Sequence, residues 1–360
     1  MSRPNLKDFA PDALRARFAE AGLPGYRADQ VAAWLYGRGV DDPAAMTDLP
    51  AELRTRLAEE HATRALALEE VAASRDGTRK GVLRTQDGAR IEAVLIPEEE
   101  RTTLCVSTQV GCPLACSFCA TGALGFGRNL TTAEIVDQVC RMRETLPDGR
   151  RITNVVFMGM GEPLLNLPRV LEAVRTLLHP KGFGMAPRRV TVSTAGVVPR
   201  IAPLLEAAPV NLAVSLHAAT DEVRDVLVPL NRRFPLRELF GALRRLPRLS
   251  RRHPVFFEYT LLAGVNDAPE DARRLARLLR GLPSKVNLIP MNPHDDAPYR
   301  PPTPEAASRF MGELVRAGVT VTLRRSRGGD IDAACGQLAV RRPADAPRAV
   351  AGGGSGAEGS

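Results

Sequence analysis

Three of the chain's six cysteines fall within eight residues, in Gly111-Cys112-Pro113-Leu114-Ala115-Cys116-Ser117-Phe118-Cys119. Thiolates spaced C-x3-C-x2-C can wrap three irons of a cubane and leave the fourth iron open. An open iron can hold a small molecule by its amino and carboxylate groups and pass one electron to a sulfonium. A structural zinc is the competing reading, but such a site takes four ligands. No second cysteine pair or histidine lies within a short loop of the triplet; Cys105 sits seven residues before Cys112 in a strand-like run, and Cys140 lies in a helix-like one. Three ligands and one vacancy favour the iron–sulfur cluster.

A regular alternation positions this loop. Short β-branched runs end near Ser107, Met158, Ser193, Ser215, Thr260 and Pro290, each followed by a helical pattern: 131–146, 167–178, 197–208, 235–249, 269–281 and 304–317. Six βα units call for a parallel sheet covered by helices. Right-handed crossovers then make a barrel or partial barrel, whose chemistry gathers at the C-terminal strand ends. Before it, Gly81–Arg84 and Ile91–Ile96 flank Gln86-Asp87-Gly88, a hairpin signal. Residues 1–75 read as a small helical bundle, with Leu49, Leu53 and Leu57 at i, i+4 and i+8. Trp34 and Tyr36 are expected in its core rather than on RNA. The expected fold is therefore α/β: a partial (βα)6 barrel over 101–340, a helical accessory domain over 1–75 and a hairpin extension over 76–100. The stretch 341–360, rich in Ala, Gly, Pro and Ser, is expected to be disordered.

The other strand ends carry polar motifs. Met158-Gly159-Met160-Gly161-Glu162-Pro163 follows the second strand, Ser193-Thr194-Ala195-Gly196 the third, Ser215-Leu216-His217 the fourth, and Asn292 the sixth. With the cysteine triplet, this order resembles the radical S-adenosylmethionine (SAM) superfamily. The resemblance implies a [4Fe–4S] cluster on Cys112, Cys116 and Cys119. It also implies SAM held by Gly161, Glu162, Ser193, Ser215, Leu216, His217 and Asn292. Taken singly, His217 is more often a satisfied buried histidine.

Three longer runs narrow the resemblance: Thr103–Cys112, Ser215–Ala218 with Val228-Pro229-Leu230-Asn231, and Arg327–Leu338. They are similar to the RNA adenine C2-methyltransferases of the RlmN type. The match covers the chain to about residue 340. Adenine C2 is electron-poor, so the base cannot attack SAM there, whereas a carbon radical can add. The family's chemistry, carried over, uses two SAM per turnover. Cys335 takes a methyl group from one. The second is cleaved to a radical that removes hydrogen from the methylated Cys335, and the resulting methylene radical adds to C2. A base then takes the C2 proton, and Cys105 attacks sulfur, releasing product by forming a disulfide. Glu92, thirteen residues before Cys105, matches the family's proton acceptor; from alternation alone it would be a solvent-facing strand residue. Read without the family, Cys105 and Cys335 are equally buried small hydrophobes. Cys335 lies in a glycine-flanked turn where backbone can move, and Arg324, Arg325 and Arg327 are candidates to favour its thiolate. A sister group with the same chemistry methylates C8.

The resemblance implies 23S rRNA and tRNA as partners, the latter at the adenosine next to the anticodon, and an electron donor such as a flavodoxin-type reductant. Net charge is +8 with a pI near 9.6, which suits a polyanion, although a GC-rich coding genome gives the same arginine bias. Aromatic residues make up only 4%, too few for a base-stacking platform, so arginine–phosphate contacts and RNA shape must carry recognition. The target base must be unstacked to reach a buried site. Arg244, Arg245, Arg248, Arg251 and Arg252 could contact RNA, but a solvated helix face explains them as well. No stretch is long and apolar enough for a membrane span, and no secretory signal is visible. Without a disulfide framework, a reducing cytoplasm is expected.

Overall fold

The computed structural model describes residues 3–339, apart from 148, 248, 295, 296 and 325. The expected tail, Arg248 and Arg325 thus lie outside the described residues. Three helices, α1 (Pro11–Glu20), α2 (Gly25–Ala32) and α3 (Ala51–Glu60), form the N-terminal bundle, with a π-helical turn at Ala33–Arg38. Leu49, Leu53 and Leu57 are buried in it. Tyr36 is also buried and packs its ring 5.2 Å from Phe183, as expected of a core aromatic. Trp34 is half-buried, its Nε1 donating to Asp48 Oδ1 at 2.6 Å.

Strands β1 (Leu66–Ala73), β2 (Arg79–Thr85), β3 (Arg90–Pro97) and β4 (Thr102–Cys105) pair antiparallel in order. The Asp87-Gly88 turn falls where the hairpin required it, with Gly88 at φ +83°. The extension is larger than expected, because β1 occupies the end of the segment read as helical. Its Leu, Ala and Glu residues are strong helix formers. Pairing with β2 overrides that propensity, and Glu69 carries ion pairs from Arg84 (2.6 Å) and Arg90 (2.7 Å).

A two-stranded ribbon of β5 (Gln109–Gly111) and β6 (Phe126–Asn129) brackets the cysteine loop and the short α4 (Ala120–Ala123). Strands β7 (Asn154–Phe157), β8 (Val190–Thr194), β9 (Asn211–Ser215), β10 (Val255–Leu261) and β11 (Ser284–Pro290) continue the main sheet from β4, all parallel. These are the six strands read from the sequence. A further parallel strand, β12 (Thr320–Leu323), pairs with β11 and was not expected; it is short and only partly buried. The sheet runs β1-β2-β3-β4-β7-β8-β9-β10-β11-β12, an open partial barrel among the described residues.

The helices that cover it are α5 (Thr132–Arg143), α6 (Leu167–Leu178), α7 (Ile201–Ala207), α8 (Asp221–Leu227), α9 (Leu236–Arg244), α10 (Pro269–Leu279) and α11 (Pro304–Arg316). Helix α5 starts with a capping box between Thr131 and Glu134. Helices α10 and α11 bury Ala272, Leu275, Leu279 and Ala307, Phe310, Leu314, the spacing of one helical face. Cys140 is core, as its apolar neighbours predict. No helix among the described residues is long and apolar enough to cross a membrane.

A buried charge network staples the bundle to the barrel. Lys7 Nζ, fully buried, donates to Asp41 at 2.6 Å and to Asp137 at 2.5 Å. Asp137 Oδ2 also accepts from the Ala65 and Leu66 amides at 2.9 Å each. Arg141 bonds Asp41 and faces Asp137 at 3.4 Å. Removing one member of such a network strands the others without water. Asp137→Ala should cost about 3–5 kcal/mol in chemical denaturation, and Lys7→Met less, because Arg141 still faces both carboxylates.

Candidate active site

The cysteine loop is shaped by contacts on three sides. Gly111 has φ +72°, and a Cβ there would stand 1.9 Å from the Gly125 carbonyl, which instead accepts from the Cys112 amide at 2.8 Å. Ala115 turns the chain at φ +50°, a conformation disfavoured for L residues. Phe118, between the last two cysteines, packs its ring 4.6 Å from that of His217. Burial raises the thiol pKa of Cys112 to about 12 and that of Cys116 well above the usual value, and Cys119 beside them adds to both shifts. The triplet is thus gathered on one loop. No group of three His, Cys, Asp or Glu side chains among the described residues is set to hold a single metal ion. In a cubane each thiolate binds a different iron, so the donor set fits a cluster rather than a closed zinc site.

The loop forms one wall of a cavity at the C-terminal strand ends, lined also by Gly161, Glu162, Ser193, Ser215, His217 and Cys335. Each predicted strand-end motif except Asn292 has a side chain or backbone on this wall. Gly161, at φ +98°, would bring a Cβ to 2.5 Å from Gln109. The glycine is therefore demanded first by the protein's own packing. Glu162 is buried, its Oε1 accepting from the Leu164 amide (3.0 Å) and Oε2 from the Ala195 amide (2.7 Å). Burial pushes its pKa up to about 7 against those hydrogen bonds. Ser193 and Ser215 place their hydroxyl oxygens 3.4 Å apart. His217, at φ +58°, accepts from the Thr260 amide at Nδ1 (3.0 Å), and burial with nearby Arg224 lowers its pKa to about 3. It is a neutral, satisfied buried imidazole that also faces the cavity.

Leu216 and Asn292 do not line it. Leu216 is core, and its amide and carbonyl bond Glu258 and Arg224. Asn292 donates to the Cys335 carbonyl at 3.0 Å and bonds Ser326, so it holds the loop that carries Cys335.

That glycine-flanked loop is tied to the hairpin and to the cysteine loop by several hydrogen bonds. Asp76 accepts from the Gly328 amide at 3.0 Å, and Asp330 accepts from Ser74 Oγ at 2.6 Å. Lys80 Nζ donates to the Asp332 carbonyl at 3.2 Å, and the Ala120 amide donates to Gly336 at 2.8 Å. Some burial pushes the Asp76 carboxyl up, but hydrogen bonds from Thr78 and Gly328 hold it down at about 2.

Cys335 stands exposed at the cavity. The protein around it raises its thiol pKa, and the Arg324 charge opposes this. Cys105 is raised to about 12, by burial first and then by Cys335, with Arg324 again opposing. Arg324, one of the three arginines the sequence offered, lines the cavity with Cys335. Glu92 is buried, not solvent-facing, with Lys80 Nζ 3.3 Å from Oε1 and Oε2 unpartnered. Val94 pairs with Cys105 and Glu92 follows at the next same-face position, so both lie on one side of the sheet. Burial raises the Glu92 pKa against the Lys80 charge.

Two residues in or beside the cavity escaped the sequence reading. Glu258 lines it with Oε2 unpartnered while Oε1 accepts from Asn287 at 2.8 Å. Arg224 lies fully buried behind it. No periodicity marks either; both depend on which strand ends meet.

Residues 106–278 match the radical SAM superfamily model, and residues 4–62 match that of the ribosomal RNA large subunit methyltransferase N-terminal domain. The chain is 50% identical over 334 residues to the dual-specificity RNA methyltransferase RlmN of Geobacter sulfurreducens, covering 93% of this chain and 91% of that one. The chain belongs to the RlmN family. The RlmN of Geotalea uraniireducens is 48% identical, covering 95% of this chain and 98% of its own. A crystal structure of a radical SAM methyltransferase from Sphaerobacter thermophilus superimposes with a TM-score of 0.87 at 47% identity, covering 93% and 99% of the two chains. Membership in the RlmN family brings the [4Fe–4S] cluster and SAM as cofactors. The bundle, ending near residue 62, coincides with the second matched region rather than reaching 75.

The tether to the Cys335 loop can be tested in solution. Asp76→Ala should speed amide hydrogen exchange across 328–336 by about three- to ten-fold, leaving β7 to β9 protected. Equal protection in the variant would show that the loop does not need this bond.

Proposed function

We propose that this radical SAM RNA methyltransferase methylates C2 of adenine in 23S rRNA and C2 of the adenine beside the anticodon in tRNA. Cys112, Cys116 and Cys119 would hold the cluster, which would supply one-electron reduction of SAM. Glycine and serine strand ends, with Glu162, hold SAM against it, and His217 closes that wall as a neutral ring. Asn292 acts on the pocket through the Cys335 loop. Cys335 carries the methyl group and then the covalent link to the base. Once the adduct has given up its unpaired electron and its C2 proton, Cys105 attacks the Cys335 sulfur and the carbon–sulfur bond breaks. The departing carbon takes up a proton to become the methyl group, and the two sulfurs join in a disulfide that the electron donor then reduces. Glu92, whose burial raises its proton affinity while Lys80 favours its ionised form, accepts the C2 proton. A flavodoxin-type donor supplies electrons, and the reaction runs in the cytoplasm.

What supports this reading is that Cys335 and Arg324 line one cavity with the three clustered cysteines, while Cys105 and Glu92 lie on one side of the sheet. Simple SAM cleavage needs neither thiol. The Arg324 charge eases formation of the Cys335 thiolate, the form that can attack.

The decisive experiment incubates the anaerobically reconstituted protein with SAM, a reductant and unmodified ribosomal or transfer RNA, then digests the RNA to nucleosides. We expect 2-methyladenosine; 8-methyladenosine in its place would move the activity to the sister chemistry. Cys335→Ala should abolish product, and Cys105→Ala should leave protein crosslinked to RNA. Normal methylation by Cys335→Ala would sink the mechanism.

A further inference from the structure

Helix α8 brings a buried cation to the back of the cysteine loop. Arg224 is fully buried. Its guanidinium donates to the carbonyls of Leu216 (3.0 Å), Ala195 (2.6 Å) and Ser215 (3.3 Å) and to Asn231 Oδ1 (2.8 Å). All four acceptors are neutral. The carboxylates of Asp221 and Asp225 stand one residue further back, accepting from Asn231 Nδ2 at 2.9 and 2.7 Å. Three of the four acceptors belong to the loops after β8 and β9, on the SAM side of the cavity.

The same helix is docked on the cysteine loop. The Ser117 amide donates to the Leu227 carbonyl at 3.2 Å. Leu227 and Val228 form an apolar cluster with Phe118, against which Cys116 and Cys119 pack. Two of the acceptors of Arg224, in Ala195 and Ser215, line the same cavity as the three cysteines. A buried charge without a partnered opposite charge is expensive. A thiolate-held cluster is anionic and would supply the missing charge through a low-dielectric interior.

We propose that Arg224 is a positioning residue with two effects: it sets the loops after β8 and β9 for SAM, and its charge raises the reduction potential of the cluster. Reduction adds an electron, taken from the external donor, to a core that is already negative. A fixed cation behind the core stabilises that added charge. Cluster potentials follow local net charge and hydrogen bonding. The inference rests on the assignment of Cys112, Cys116 and Cys119 as ligands.

The test is an EPR-monitored redox titration of the reconstituted full chain, with SAM affinity measured alongside. Arg224→Gln should lower the midpoint potential, and Arg224→Lys, which keeps the charge but not the hydrogen-bond fork, should stay near the native value while binding SAM more weakly. Asp225→Asn, nearly isosteric and partly exposed, removes a compensating negative charge and should raise the potential. A purely structural role would not move the two charge changes in opposite directions. Should Arg224→Gln fail to hold a cluster, Asp225→Asn alone decides. An unshifted or lowered potential in that variant overturns the proposal. A native chain that gives no cluster signal overturns the ligand assignment as well.

Discussion

A loop that offers three thiolates and one vacancy works only if it cannot close on itself. Here the restraint comes partly from outside the loop. The loop's own far end supplies the Gly125 carbonyl to the Cys112 amide, while the distant Leu227 and Gly336 carbonyls take the Ser117 and Ala120 amides. Together they set the loop at the strand ends. Burial raises the Cys112 and Cys116 thiols, and the Arg224 charge opposes this at Cys116 without offsetting it, so metal must displace a proton as it binds.

The rest of the cavity is built by the same economy of cross-links. Glu162 ties the turn after β7 to the one after β8, Arg224 ties those after β8 and β9, and Asn266 receives the Leu262 amide while bonding the carbonyls of His217 and Thr260. Strand ends that would otherwise fray become one rigid rim. Rigidity of that kind lets small polar groups keep their geometry around a ligand without help from it.

Much of this was readable from the chain alone, for definable reasons. The cysteine spacing is a covalent-scale signal, and the strand ends follow from β-branched runs each bounded by a helical pattern. Asp87-Gly88 announced its own turn. What escaped was decided at long range. Strand β1 has a helix-former's composition and becomes a strand only because β2 is beside it. Lys7 resembles any surface lysine until Asp41 and Asp137, over 30 and 130 residues away, enclose it. Arg224 and Glu258 sit at ordinary element positions, and only the meeting of β8, β9 and β10 turns them inward. The glycines around Cys335 suggested looseness, yet Asp76 and Asp330 supply bonds that composition cannot reveal.

Those last bonds join positions some 250 residues apart in the chain. On the ribosome, the cysteine triplet and most strands emerge well before the segment that bears Cys335. The Cys335 thiol is seated last, against a hairpin made near the beginning. That same late segment also supplies the Gly336 carbonyl that takes the Ala120 amide, so the cysteine loop and Cys335 are completed in one step.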